Sequence, residues 1–460
     1  MWNLRSAVRV LLATFALGTA VIAGDAASSA TFVASPARLI ARVYDSGFAD
    51  AHDTYNGIGA ASDGRIYYVL SSERHDVAAQ MFVLDSASGR PRRVADLDEA
   101  TGQKGRHLIA QGKSHVNFVE AGGKLYFATH IGFYSIVDGM ETMGIPPTGF
   151  SRYPGGHLLA YDLATGKIDD LALAPEQEGI LTMNVDGRRG RIYALTWPSG
   201  LFFRYDLASR ETKTLGRFFE KGENGKGHEY RTICRSLAVD PDDGSVYFTR
   251  GEGTIFRYRY DRDAVEPVAG DDLKKDYFGQ YDPTSAGHMA YNWRQTAYRA
   301  AERLFYGVHG NSGYLFSFDP RAERVEVLDR ITSEPSRRSG MFDQFSYGYL
   351  GFTLGPDGRT LYYLTGGPVY VGGRRVAGKS STAKGEAKGT EDLHLVTYDI
   401  PDRRYTDQGA VFYEDGGRPS YVNSIAVGRD GTVYTIARIP KGDGYRVDLV
   451  SLAPVTSASR

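Results

Sequence analysis

The sequence predicts an all-β protein, a seven-bladed β-propeller in which an N-terminal strand completes the last blade. The 460 residues include 55 Gly, 31 Tyr and 22 Phe, a composition typical of many short strands joined by tight turns. One short sequence step recurs seven times, and each copy lies among strand-like segments that group in fours. Four-stranded units bury their faces only against neighbouring units, which favours a ring of blades.

The recurring step is Gly-x-aliphatic-Tyr, in which the glycine ends a turn and the following residues open a strand. Five close copies and then two looser ones lie at residues 64–67, 123–126, 190–193, 244–247, 431–434, 303–306 and 358–362. A short apolar strand precedes several copies, as at residues 116–119 and 236–239. Turn residues such as Pro-Asp-Asp-Gly at 241–244 indicate that the two strands form a hairpin.

A third strand follows each step and commonly ends in an aromatic residue and an aspartate. This ending occurs at residues 161–162, 205–206, 318–319 and 398–399, with Leu84 and Asp85 in the first repeat. A weaker polar fourth strand follows, as at 92–97 and 325–328. The last repeat ends at 448–452 without a fourth strand, so we expect residues 37–44 to pair there and close the ring.

Residues 1–23 have the features of a secretory signal peptide. Arg5 and Arg9 precede an apolar run at residues 10–23, and the small side chains of Val21 and Ala23 suit a cleavage point. An uncleaved membrane anchor is the alternative, but the run is shorter than the roughly 20 residues that a spanning helix needs. We therefore expect residues 24–460 to form a single propeller domain that is secreted or periplasmic.

Charge and cysteine content restrict the partners and the means of stabilisation. The formal net charge is -1, so no global basic field favours nucleic acid, and we expect no membrane partner once the signal is cleaved. Cys234 is the only cysteine and has no partner for an intrachain disulfide. Oligomeric state is not indicated by the sequence.

Two segments depart from the repeat and are predicted to be loops. Residues 135–156 interrupt the second repeat. Residues 372–392 interrupt the sixth, and their Lys- and Gly-rich, apolar-poor composition predicts a solvated and mobile excursion.

Polar residues recur at one rim of the predicted ring, where the inner strand of a blade begins and its second strand ends. These positions hold His115 and His130 in the second repeat, and His288 and His309 in the fifth. The fifth repeat also holds Asn292 and Arg294 there, and equivalent positions in other repeats hold His52, Asn56, Tyr230, Arg231, Arg235, Arg250, Tyr421 and Asn423. We expect a polar, locally basic binding site there, although a single rim histidine is commonly structural and the arginines could pair between blades.

Cys234, His288 and His309 have the ligand types of a zinc site and come from adjacent repeats. Their spacing matches no compact metal motif, so a buried thiol beside unrelated histidines is the simpler interpretation. A structural divalent metal, zinc or calcium, is the alternative expectation.

Four segments resemble the propeller polysaccharide lyases that include ulvan lyases. The resemblance lies in residues 112–118, 127–130, 153–157 and 230–235. The wider group also contains rhamnosyl-glucuronate lyases and rhamnosidases of similar architecture. The resemblance implies cleavage of uronate-containing glycans, ulvan-like or rhamnose-glucuronate, by β-elimination.

Elimination needs a cation or donor for the uronate carboxylate, a base for the C5 proton and an acid for the departing O4. The resemblance implies that His115 and His130 serve as base, acid or carboxylate contacts. It implies Tyr230 as a proton donor and Arg231 or Arg235 as the carboxylate neutraliser. The seven expected substrate-binding residues are His52, Asn56, Arg250, Asn292, Arg294, Tyr421 and Asn423, and His52 could instead belong to a rhamnosidase-like site.

Two other functions remain open. A glycoside hydrolase of the α-L-rhamnosidase type would normally place two carboxylates across its site, whereas the strongest rim positions hold His, Tyr and Arg. A non-catalytic glycan-binding propeller is the alternative from a different class, because the fold alone does not imply activity.

Overall fold

The computed structural model describes residues 33–34, 38–85, 88–286, 288–339, 351–368, 370–371, 374–375 and 391–454. These residues form an all-β structure with only two short α-helices, Leu97–Ala100 and Glu334–Ser339. The 3-10 turns are Pro175–Gln177, Gly222–Asn224, Gly227–Glu229 and Asp276–Phe278. Over the described ranges, no helix combines the length and hydrophobicity needed to cross a membrane.

Five separate four-stranded antiparallel sheets follow one another along the chain. Sheet 1 contains Ile58–Ala60, Ile66–Leu70, Gln80–Asp85 and Arg90–Asp96. Sheet 2 contains Val119–Ala121, Lys124–Ala128, His157–Asp162 and Ile168–Leu173. Sheet 3 contains Gly179–Asp186, Arg191–Trp197, Leu201–Asp206 and Thr212–Arg217. Sheet 4 contains Ala238–Val239, Val246–Thr249, Ile255–Arg259 and Ala264–Pro267. Sheet 5 contains Trp293–Arg299, Leu304–His309, Tyr314–Asp319 and Arg324–Arg330.

Nine of the remaining strands form one sheet that contains two further meanders. The first, sheet 6, contains Phe352–Leu354, Thr360–Pro368, Glu391–Asp399 and Arg404–Phe412. The second, sheet 7, contains Ala426–Val427, Val433–Lys441 and Gly444–Leu452. The N-terminal strand Leu39–Val43 pairs antiparallel with Gly444–Leu452 and parallel with Arg404–Phe412, and so joins the two. The two-residue strand Val33–Ala34 also pairs parallel with Arg404–Phe412.

A small hairpin lies at the start of each loop expected from the sequence. Within the loop of the second repeat, Tyr134–Val137 pairs with Met140–Met143. In the sixth repeat Tyr370–Val371 pairs with Arg374–Arg375, and most of the remainder of 372–392 lies outside the described residues. The predicted signal peptide at 1–23 and the position of Ala37 also lie outside them.

The tyrosine of the recurring step packs between neighbouring sheets. Tyr67 of sheet 1 contacts Tyr161 of sheet 2 with ring centroids 5.2 Å apart. Tyr193 of sheet 3 contacts Tyr258 of sheet 4 at 5.1 Å. Aromatic pairs contribute about 0.5–1.5 kcal/mol beyond their burial. The repeat is therefore the sequence signature of one sheet-to-sheet contact used again along the chain.

A turn glycine precedes the tyrosine for a backbone reason. Gly64 has φ of +83° and no atom within 4 Å of the position of a Cβ. Its conformation, rather than crowding, favours glycine, because L-residues with a side chain rarely adopt a positive φ. The same applies to Gly431, which has φ of +84°.

Sheet 7 offers a test of the contribution of the N-terminal strand. Ala41 is 1% exposed and faces Leu452, whereas its neighbour Ile40 is 50% exposed. Replacing Ala41 with Asp buries an unpaired charge and is expected to lower the free energy of unfolding by about 3 kcal/mol or more. Ile40→Asp is the matched control, with an expected change within about 0.5 kcal/mol. Urea denaturation of both variants measures the difference, and equal stabilities would contradict the observed packing.

Candidate functional site

A cavity of about 360 Å³ lies where loops of sheets 1, 2, 3, 4 and 7 meet. Its wall includes His115 and His130, which flank the first two strands of sheet 2. Four acidic residues, Asp53, Glu73, Glu141 and Glu223, also contribute. The remaining polar and aromatic wall residues include Tyr55, Lys113, Tyr134, Trp197, Arg235, Tyr421 and Asn423.

His115 enters the wall from the segment that leads into the inner strand of sheet 2. Its ring Nδ1 donates to the carbonyl of Leu181 at 2.9 Å, and Asn56 donates to the His115 carbonyl at 3.3 Å. Burial, and after it the positive charge of Lys113, holds the pKa of His115 well below its usual value. The ring is therefore neutral at pH 7, with its proton on Nδ1 and a lone pair on Nε2.

His130 follows the second strand of the same sheet and repeats this arrangement. Its Nδ1 donates to the carbonyl of Ile131 at 2.8 Å, and its Nε2 is buried without a hydrogen-bond partner among the described residues. Burial and the charge of Lys113 lower the pKa of His130 as well. Its ring lies 5.6 Å from the ring of His115 and 5.6 Å from that of Trp197.

The backbone fixes the two histidines relative to each other. Lys113 donates its N–H to the His130 carbonyl at 3.1 Å and accepts from the His130 N–H at 2.8 Å. This isolated antiparallel bridge ties the segment before the inner strand to the end of the second strand. This bridge fixes the backbone at His130 and two residues before His115, and the Nδ1 bonds to carbonyls fix the two rings.

Lys113 is a buried cation held between two aromatic rings. Its Nζ lies 3.8 Å from the centre of the Tyr55 ring and 4.4 Å from that of Tyr134. Burial lowers the pKa of Lys113 to about 8. Burial also raises the pKa values of Tyr55 and Tyr134, so both phenols stay protonated at neutral pH.

Arg235 and Glu223 form a buried ion pair in the cavity wall. Arg235 Nη2 donates to Glu223 at 2.6 Å, and Nη1 donates to the Ile233 carbonyl at 2.6 Å. The same carboxylate accepts from the indole N–H of Trp197 at 3.1 Å. These contacts orient the Arg235 guanidinium, and both oxygens of the Glu223 carboxylate accept hydrogen bonds.

Two further wall carboxylates are also engaged. Asp53 pairs with Arg438 at 3.0 Å, and Glu73 pairs with His52 at 3.2 Å while it accepts from the hydroxyl of Tyr55 at 3.3 Å. The hydrogen bond to Glu73 raises the pKa of His52.

The hairpin Tyr134–Val137 and Met140–Met143 forms one side of the cavity. It contributes Tyr134, Ile136 and Glu141 to the wall. Ile136 is 67% exposed, which is unusual for a large apolar side chain. The hairpin thus extends an apolar surface from the cavity into solvent.

Five of the predicted site residues share this cavity: His115, His130, Arg235, Tyr421 and Asn423. Two others lie directly behind the wall. Asn56 contacts the His115 carbonyl, and Arg294 donates to Asn423 at 3.1 Å.

Five other predicted site residues do not line it. Arg231 pairs with Glu220 and Glu252, and Arg250 pairs with the same two carboxylates. Tyr230 is buried 3.5 Å from the Thr232 hydroxyl. Asn292 donates to the Thr232 carbonyl at 3.0 Å, and His52 contacts Glu73 and Tyr445. Arg231 therefore makes ion pairs, as the structural interpretation of this residue predicted.

Cys234, His288 and His309 do not converge on one point. Both ring nitrogens of His309 are engaged, with the Ser312 hydroxyl at 2.7 Å and the Ala290 carbonyl at 3.0 Å. His288 Nδ1 accepts from the Ala290 N–H, and the Cys234 thiol contacts the Ser236 carbonyl. Within the described ranges, no three His, Cys, Asp or Glu side chains are grouped to hold a metal ion. The structural metal stays a prediction, and the described residues contain no group of side chains that would bind it.

Sequence reasoning missed Lys113, Glu73, Trp197 and Glu223. Lys113 precedes an inner strand, Glu73 follows a second strand and Trp197 is the last residue of one, and these are the positions already used to find the histidines. The same positional rule could have found them. Glu223 lies in an irregular segment between sheets 3 and 4 and carries no such signal.

No family model and no curated protein sequence matches the chain. Among solved structures, the β-propeller domain of Cps50 (Swd1) from Myceliophteria thermophila has 8% identity and a TM-score of 0.50, covering 90% of this chain and 100% of that chain. A mitotic checkpoint complex chain has 12% identity and a TM-score of 0.48, covering 90% of this chain and 95% of that one. A nidogen/laminin complex chain has 10% identity and a TM-score of 0.41, covering 79% and 98%.

The similarity to the Cps50 domain shows the fold. The prediction of an all-β propeller is therefore confirmed, whereas the blade count and the ring closure stay predictions. At 8% identity the similarity carries no statement about activity.

The Arg235–Glu223 pair generates a stability prediction. Both residues are less than a tenth exposed, so Glu223→Ala removes a buried counter-charge and is expected to cost about 3–5 kcal/mol of unfolding free energy. Glu229→Ala removes an exposed partner of Lys221 and should leave the melting temperature unchanged. Thermal melts followed by circular dichroism compare the two, and equal melting temperatures would contradict the assignment of a buried pair.

Proposed function

We propose that this chain is a secreted or periplasmic polysaccharide lyase that cleaves uronate-containing glycans by β-elimination. The observation that carries the proposal is the pair of neutral imidazoles at one cavity, each with Nδ1–H held by a backbone carbonyl and Nε2 left to accept a proton. A base that is neutral at the working pH is what proton abstraction requires.

The proposal includes one ring of seven blades, with sheets 1 to 7 in chain order. Its support is the pairing of Leu39–Val43 with Gly444–Leu452, which adds a fourth strand to sheet 7. The cavity wall also combines residues of sheets 1 and 7, which are far apart in the chain. In such a ring the cavity lies at the mouth of the central channel.

In the proposed reaction, His115 Nε2 removes the proton from C5 of the uronate. His115 is chosen because it is 7% exposed and His130 only 1%. The electrons of the broken C5–H bond form the C4=C5 double bond as the C4–O4 bond breaks. O4 then takes a proton, either from the protonated His115 or from the phenol of Tyr55 or Tyr134. His130 has a positioning role, because its ring lies 5.6 Å from that of His115 and its own Nε2 is buried.

The wall chemistry bears on the two alternatives. Four cavity carboxylates favour a hydrolase more than the sequence did, but Asp53, Glu73 and Glu223 are engaged with Arg438, His52 and Arg235. A non-catalytic glycan-binding propeller would use the same wall without turnover. Glu141 is the one of the four that makes no ion pair or side-chain hydrogen bond with the described residues, and a hydrolase would normally need two carboxylates across the site. Lyase action therefore remains the stronger proposal.

Incubation with a panel of uronate-containing polysaccharides tests the proposal. A lyase releases an unsaturated uronate that absorbs in the ultraviolet, and no water is added. Release of saturated sugars would support the hydrolase instead. Binding without any product would support the glycan-binding alternative.

Two histidine variants test the catalytic assignment. His115→Ala and His130→Ala are each expected to lower turnover by about a hundredfold or more, because a proton-transfer or positioning group is lost. The exposed His228 supplies the control, and His228→Ala should keep wild-type turnover. Rates come from the ultraviolet assay, with melting temperature as the check on folding. Wild-type turnover in both cavity variants would disprove the assignment.

The acid side of the pH profile is a separate prediction. Because burial lowers the pKa of both histidines, the base form persists below the ordinary histidine value of 6.5. We expect kcat/KM to stay constant as pH falls through 6.5 and to decline only at lower pH. A half-maximal rate at pH 6.5 or above would show that the catalytic base is not a buried imidazole of this kind.

A further inference from the structure

Lys113 has a position that its structural contacts do not explain. Lys113 is only 3% exposed, yet it lines the cavity, and its ammonium makes no ion pair among the described residues. Of the wall carboxylates whose charge acts on Lys113, Glu73 and Asp53 are paired with His52 and Arg438, and Glu141 makes no ion pair with it. A buried cation without a paired anion is costly, so its retention at a cavity points to an external counter-charge.

We propose that the Lys113 ammonium receives the carboxylate of the bound uronate, and that this contact selects anionic over neutral sugars. The inference rests on the proposed function only in taking a uronate as the ligand. It assigns to Lys113 the role that the resemblance implied for Arg231 or Arg235.

The two tyrosine rings suit Lys113 to this role. Cation–π contacts with Tyr55 and Tyr134 position the ammonium through ring faces, which leaves its N–H groups to donate to a ligand. Arg235 differs, since it donates to Glu223 and to a backbone carbonyl. Arg231 does not line the cavity and is engaged by Glu220 and Glu252.

The contact also fits the proposed chemistry. Lys113 precedes His115 by two residues, and its positive charge is, after burial, the next cause that lowers the pKa of that imidazole. The uronate carboxylate is bonded to C5, the carbon that loses its proton. An ammonium at the carboxylate therefore stabilises the charge that develops when His115 acts on C5.

The charge state of Lys113 gives the inference a pH signature. Its pKa of about 8 means that the free amine loses its charge as pH rises through 8, so affinity for a carboxylate should fall above that pH. The charged and titratable groups that face it are Asp53, Glu73, Glu141, His115, His130 and Arg235. Burial keeps both imidazoles neutral and the phenols of Tyr55 and Tyr134 protonated from pH 7 to 9.5, so Lys113 is the group expected to titrate there.

Isothermal titration calorimetry tests the inference with a matched pair of ligands. The probes are a rhamnosyl-glucuronate disaccharide and the neutral disaccharide obtained by reducing its carboxyl group. At pH 7 the wild type should bind the charged probe about tenfold or more tightly than the neutral one. Lys113→Met should abolish that preference, Lys113→Arg should keep it, and Lys213→Met, at an exposed lysine, should behave as the wild type.

The outcomes separate this inference from the proposed function. Preference retained in Lys113→Met, or absent in the wild type, overturns the role of Lys113. If the wild type still releases unsaturated uronate from polysaccharide, only the role of Lys113 is wrong. If it releases none, the lyase proposal is wrong as well. If Lys113→Met does not fold, the same titrations at pH 8 to 9.5 decide. The affinity of the wild type for the charged probe must fall over this range, while the affinity of Lys113→Arg stays constant. Equal pH profiles for the two proteins would overturn the inference.

Discussion

Two hydrogen bonds from imidazole nitrogens to backbone carbonyls determine what this cavity can do. His115 donates to Leu181 and His130 to Ile131, so each ring is held in one tautomer and one orientation. Burial keeps both rings uncharged. A buried imidazole in this state presents a lone pair at a fixed place, which is the property that the proposed elimination uses.

The sheets supply the rigidity for these bonds. The His115 bond crosses from sheet 2 to sheet 3, so its length depends on how the two sheets pack. Aromatic contacts such as that between Tyr67 and Tyr161 fix such packing elsewhere in the chain. The catalytic proposal and the repeat pattern are therefore linked, because the contacts that recur between sheets also hold the loops that form the cavity.

Much of the fold follows from the repeats, whereas the site follows only in part. His115 and His130 could be found because strand ends define a rim, and the strands have a clear pattern. Arg231 and Arg250 satisfy the same rule but turn towards Glu220 and Glu252, whose irregular loops give no signal of their position. The hairpin that brings Tyr134 to Lys113 lies in an insertion outside the repeat, so the enclosure of that lysine could not be predicted.

The tautomers of the two histidines are the most direct measure of this account. Nitrogen-15 NMR of uniformly labelled protein distinguishes Nδ1–H from Nε2–H imidazoles and from imidazolium, and the single alanine variants assign the signals among the ten histidines. At pH 7 both His115 and His130 should be neutral with the proton on Nδ1. An Nε2–H tautomer or an imidazolium at either position would contradict the account, because the lone pair that it places in the cavity would not exist.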